Sequence, residues 1–177
     1  TRQCTLKRVK EKIMSFFSSR RSTVHGINGG VATSQPLASQ VGIDVLKAGG
    51  NAVDAAITMA STLGVVEPMS TGIGGDIFAL IWDPKSEKIS SFNGSGTSSR
   101  NSNPEELISK GFSSIPTEGE GGAYSVSVPG SVDGWQKILG KFGTISLSES
   151  LQPGIKLAEE GYPVSELISW AWSENES

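Results

Sequence analysis

Residues 49–80 read GGNAVDAAITMASTLGVVEPMSTGIGGDIFAL, and no other stretch of the chain specifies so much local structure. Gly49-Gly50 supplies the left-handed conformation that ends a preceding helix. Asn51 then caps a new one, with Asp54 three residues on as an approximate capping box. The spacing predicts a helix over 52–63. Ala52, Val53, Ala55, Ala56, Ile57, Met59, Ala60 and Leu63 leave it almost no polar face, so it is expected to be buried. Gly64 is expected to stop it. A tight turn at Glu67-Pro68 and the glycine cluster Gly72, Gly74 and Gly75 lead into the apolar run 77–82, expected as a central strand.

Downstream, Asp83-Pro84-Lys85-Ser86 turns the chain and residues 88–92 return it, so 76–93 is predicted to be a β-hairpin. Residues 93–103, NGSGTSSRNSN, read as a polar loop, followed by a short helix from Pro104 to Gly111. A second glycine-rich loop over 118–122 precedes an expected strand at 124–128. Pro129-Gly130 turns into a helix carrying Val132, Trp135, Ile138 and Leu139. Ser146 and Glu149 form a capping box for the next helix, with Leu151, Ile155 and Leu157 turned inward and Gly161 closing it. Pro163-Val164-Ser165 opens a last helix, whose Trp170 and Trp172 are expected to bury against a missing continuation of a truncated chain.

Upstream, Val31-Ala32-Thr33 reads as a short buried strand after the Asn28-Gly29-Gly30 turn. Ser34 is the expected cap of a helix with Pro36 in its first turn and Leu37, Val41, Val45 and Ala48 as its apolar stripe. Strands and helices alternate without repeating βαβ units. A layered α/β or α+β sandwich is therefore expected rather than a doubly wound parallel sheet.

The whole chain has 177 residues, enough for one domain with a sizeable core. Its 22 glycines are an excess that indicates tight turns and close backbone approaches. Residues 1–25 differ from the rest. Seven of the 15 basic side chains fall within residues 1–21, opposed only by Glu11, which leaves 8 basic against 17 acidic in the remainder. Leu6, Val9, Ile13, Phe16 and Phe17 in this arm share one helix face, so it reads either as a disordered extension or as a targeting or membrane-surface segment. The domain proper is expected over 26–177. No uninterrupted apolar stretch is long enough to span a membrane. The acidic balance of 26–177 argues against nucleic acid as a partner. Cys4 is the single cysteine and His25 the single histidine, so neither a disulfide nor a metal site is expected, and no cofactor is implied.

Several groups have chemistry to offer. Residues 72–76 place backbone N–H groups in a cluster that can cradle an anion or form an oxyanion hole, although the cluster follows a helix and precedes a strand, the reverse of a nucleotide loop. A structural turn is the leading explanation of the cluster. Asp54, Glu67 and Asp76 are acid/base candidates, each with a structural alternative: a helix start, a hydrogen-bonded turn and a backbone anchor. His25 has no Ser or Cys partner in any motif.

Three ordered motifs carry a resemblance. P-L-A-S with G-G-N-A-V-D-A-A (36–39 and 49–56), L-G-V-V-E-P-x-x-x-G-I-G-G (63–75) and V-P-G-x-x-x-G-W (128–135) together resemble the γ-glutamyltransferase, or glutathione hydrolase, family. The likeness runs from about residue 30 to 165 and covers the opening part of the family's precursor. It implies an α+β fold, the αββα sandwich of an N-terminal-nucleophile hydrolase, incomplete in this chain. It also implies self-cleavage into a large and a small subunit. The freed threonine attacks the γ-glutamyl amide with its own α-amino group as base. That threonine is expected downstream, so no catalytic residue is expected among residues 1–177. The implied partners are the small-subunit portion of the same precursor and a small-molecule γ-glutamyl or other amide substrate.

The chain departs from the family at one point. Where well-known members place an arginine that grips the substrate α-carboxylate, residues 93–98 read NGSGTS, setting Ser95 at the arginine's position. Loss of a guanidinium removes a bidentate charge-assisted contact. Ser95 is therefore one candidate substrate-binding residue, and Arg100 in the same loop is a candidate replacement cation. An acylase or amidase acting on another substrate, or a catalytically silent binding fragment, are the alternatives.

Overall fold

The computed structural model describes residues 23–117 and 119–174, and the chain divides into two compact units, Thr1–Gly30 and Val31–Ser177. Of the first, residues 23–30 are irregular and exposed. The amphipathic spacing from Leu6 to Phe17 lies outside the described residues.

In the second unit, α1 (Pro36–Lys47) and α2 (Ala52–Val66) are joined by a short turn. Gly49 sits there at φ 95°, in the left-handed region that glycine adopts without a Cβ penalty. The Asn51 side chain accepts from the N–H groups of Val53 (2.8 Å) and Asp54 (3.0 Å), and Asp54 accepts from the Asn51 N–H (2.8 Å), completing the predicted capping box. Gly64 does not end α2 but lies inside it, where an added Cβ would meet Gly72 of the returning loop only at ordinary van der Waals distance. The helix runs through it despite the roughly 1 kcal/mol that glycine costs inside a helix.

The buried face of α2 is partly polar: Asp54, Ala55, Ile57, Thr58, Ser61, Thr62 and Val66. Each hydroxyl is spent. Thr58 donates to the Asp54 carbonyl and Thr62 to the Thr58 carbonyl, both at 2.7 Å. Ser61 reaches the carbonyls of Thr58 (3.0 Å) and Ser150 (3.1 Å), tying α2 to α5 (Leu147–Glu160). Among the described residues no buried side-chain N or O atom lacks a partner, as a native interior requires.

The hairpin β1 (Ile77–Asp83) and β2 (Lys88–Gly94) is antiparallel, paired from Ile77 with Gly94 to Asp83 with Lys88. Its two faces differ. Ile77, Ala79, Ile81 and Phe92 lie against a buried cluster of Ile57 from α2 and Trp135, Ile138 and Leu139 from α4 (Ser131–Phe142). Phe78, Leu80, Trp82 and Ile89 on the opposite face are 58–79% exposed. The expected central strand thus has one strand beside it and one covered face among the described residues. Glu87, at the hairpin turn, is held at φ 51°, a left-handed position that the sequence does not announce.

Several local expectations are corrected. Residues 31–33 form no strand, because the Thr33 hydroxyl bonds forward to the Gln35 carbonyl (2.6 Å) and Ser39 (2.7 Å) and draws the chain into the start of α1. Gln35 rather than Ser34 caps α1, its side chain accepting from Leu37 and Ala38, while the Ser34 hydroxyl is drawn away to Glu67. The stripe of α1 is buried through Ala38 and Gly42 and not through Ala48, since α2 comes so close that a Cβ on Gly42 would strike Met59. Residues 124–128 make no strand. Gly119–Ser125 is a 3-10 helix, and Tyr124 is held to α3 (Pro104–Ser109) through Glu106 (3.0 Å) and Lys110 (3.4 Å). In α5 Leu151 packs against the core cluster as expected, but the fully buried positions are Ser150 and Gly154, and Ile155 is 42% exposed. The last helix, α6 (Glu166–Ser173), buries Ile168 and leaves Trp170 and Trp172 nearly half exposed.

Candidate functional site

The motifs converge at the open end of the hairpin. Gly75 and Asp76 lead into β1, Ser95 to Thr97 lead out of β2, and residues 127–131 lead into α4. The Gly75 carbonyl accepts from the N–H groups of Gly130 (3.1 Å) and Ser131 (3.0 Å). The Ser131 hydroxyl donates to the Asp76 carbonyl at 3.0 Å, and the Val128 N–H donates to the Thr97 carbonyl at 2.9 Å. One strap therefore joins both loops. Its closeness depends on glycine: a Cβ on Gly96 would overlap the Val128 carbonyl, and one on Gly130 the Gly94 carbonyl. The same need for bare backbone recurs inside α4, where a Cβ on Gly134 would strike Ile77.

The ladder ends at Ile77 with Gly94, so Asp76 and Ser95 are the residues that flank its last pair. Ser95 is half-buried. Its N–H donates to the Asn93 side chain at 2.9 Å, and its hydroxyl makes no hydrogen bond among the described residues. Asp76 is exposed and accepts from the Ser127 hydroxyl at 2.9 Å through one oxygen, leaving the other without a partner among the described residues. Arg100 is exposed in a turn later in the loop and makes no ion pair among the described residues. His25 is exposed in the first unit.

The other two carboxylates have structural work. Asp54 is fully buried and accepts four hydrogen bonds, from the N–H groups of Asn51 (2.8 Å), Thr144 (2.7 Å) and Ile145 (3.3 Å) and from the Thr144 hydroxyl (2.6 Å). Burial is the largest single influence and raises its pKa. The hydrogen bonds, led by the Thr144 hydroxyl, together outweigh it and hold the carboxyl below its ordinary value. Such a group is an anchor, with no lone pair free for proton transfer to a substrate. Glu67, at the C-terminal end of α2, accepts from Ser34 and ties that end to the entry of α1. In residues 72–76 the Gly75 and Asp76 carbonyls accept from residues 130 and 131, and the Gly75 N–H donates to the Gly72 carbonyl (3.3 Å).

Sequence reasoning did not single out Ser127, Ser131 or Thr144. The V-P-G motif gave a positional hint for the first two, since its flanking residues had to meet something. The Thr144 contact with Asp54 spans 90 residues and leaves no local signal.

Comparison with known proteins agrees with this arrangement of motifs. Residues 38–177 match the gamma-glutamyltranspeptidase family model. The chain is 38% identical over 150 residues to the glutathione hydrolase proenzyme of Bacillus subtilis (strain 168), covering 84% of this chain and 26% of that protein. It is 37% identical over 164 residues to the acylase ACY 1 proenzyme of Pseudomonas sp. (strain V22), covering 90% and 29% respectively. Among solved structures it resembles the cephalosporin acylase from Bacillus halodurans, with TM-score 0.79 and 45% identity over 89% of this chain and 29% of that one. It also resembles the Helicobacter pylori gamma-glutamyltranspeptidase, with TM-score 0.77 and 33% identity over 86% and 44%. The chain spans about a quarter of the length of the curated relatives it matches. The fold is the mixed α+β type of these N-terminal-nucleophile hydrolases, present in part.

Proposed function

The chain belongs to the gamma-glutamyltranspeptidase family, and on that footing we propose that it is the opening part of the large subunit of a self-cleaving precursor. The reaction is hydrolysis or transfer of γ-glutamyl groups from glutathione-type amides. A threonine outside this chain, freed as the N-terminus of the small subunit, attacks the amide carbonyl with its own amine as base. The leaving amine departs with that proton, and the acyl group passes to water or to an acceptor amine.

In this reading the chain supplies position rather than chemistry. One observation carries it: motifs from three separate parts of the sequence meet at the end of the hairpin, locked by the strap at residues 127–131. A loop so held can keep Ser95 within the sub-ångström tolerance that productive substrate placement demands. Ser95 offers the substrate a neutral hydroxyl, and Arg100, unpaired among the described residues, is the cation of that loop. Arg100→Ala in the full-length protein should raise KM for a γ-glutamyl anilide; an unchanged KM removes Arg100 from the site.

A second reading, an acylase on the same scaffold, is favoured by the Ser95 position, where the sequence resembles a branch of the family with N-G-S-G in place of the arginine. The 45% identity to a cephalosporin acylase supports it too. Expression of the complete reading frame separates the readings. Self-cleavage on a denaturing gel, followed by hydrolysis of γ-glutamyl amides in preference to simple acyl amides, supports the first. The reverse preference supports the second, and a chain that never cleaves itself defeats both. Ser95→Arg gives a further test, since a restored guanidinium should lower KM for γ-glutamyl substrates.

A further inference from the structure

We draw no further inference here: the strongest candidate, the exposed apolar face of the β1–β2 hairpin formed by Phe78, Leu80, Trp82 and Ile89, restates the sheet-on-sheet packing of the family's sandwich fold, and nothing in the structure shows any other occupant that covers it.

Discussion

Asp54 and Asp76 are both aspartates beside a glycine-rich turn, and both tie distant segments together, but they do so by opposite means. At the Asp54 junction the carboxylate itself is the joint. Four donors converge on it, two N–H groups and a hydroxyl among them from residues 144–145, and it is fully buried. At the Asp76 junction the joint is made by backbone and by the absence of side chains. Gly96 and Gly130 let main chain lie on main chain, while the carboxylate stays exposed with one oxygen unspent. A carboxylate saturated with donors is architecture; one held in place but left open is available for a ligand.

The largest expected effect tests the buried side. Asp54→Ala strands three N–H groups and a hydroxyl inside the protein, and should lower the stability of the full-length protein by about 3 kcal/mol or more in urea denaturation. A loss below about 1 kcal/mol would mean that water replaces the carboxylate and that the joint lies elsewhere. Next comes the backbone joint. Gly130→Ala must push the Gly94 carbonyl away, at a cost of about 1–3 kcal/mol, and should speed hydrogen exchange at the amides of Val128 and Ser131. Normal protection in that variant would show that the strap is slack.

A smaller effect is expected in the pH dependence. Because the folded pKa of Asp54 is depressed, its contribution is fully present above the unfolded value of about 3.9 and is lost as pH falls through the lower folded value. Wild type should therefore lose stability below about pH 4 more steeply than Asp54→Asn. Parallel acid profiles would contradict a depressed pKa. The smallest effect belongs to the open carboxylate: Asp76→Asn should change stability by less than about 0.5 kcal/mol, as surface substitutions usually do. A loss as large as that of Asp54→Ala would erase the distinction between the two junctions.

The helices were the most legible part of the chain. The capping boxes at Asn51 and Ser146 involve partners three residues apart, so local sequence suffices to name them, and both are complete in the structure. The hairpin was legible for the same reason, since Asp83 accepts from Lys85 (3.0 Å) and Ser86 (2.7 Å) within its own turn. Ser34 was misread because a distant partner, Glu67, draws its hydroxyl away, and Gly64 because α2 runs on through it to Val66. The site was legible in its motifs but not in its assembly. Residues 63–75 and 128–135 stood out as motifs of the resemblance and 93–98 as the departure from it, while the strap that joins them rests on contacts across some 30 to 55 residues.

By itself, then, the sequence determined where helices start, where the hairpin turns and which family the motifs resemble, because those signals lie within a few residues of one another. Tertiary structure alone decided which of the candidate carboxylates is consumed and which stays open. Asp54 meets its donors from Thr144 and Ile145 only once α2 and the α4–α5 turn pack together. Asp76 keeps one oxygen open because, among the described residues, only the Ser127 hydroxyl reaches its carboxylate. The number of donors that reach a carboxylate is a property of packing, and no spacing along the chain encodes it.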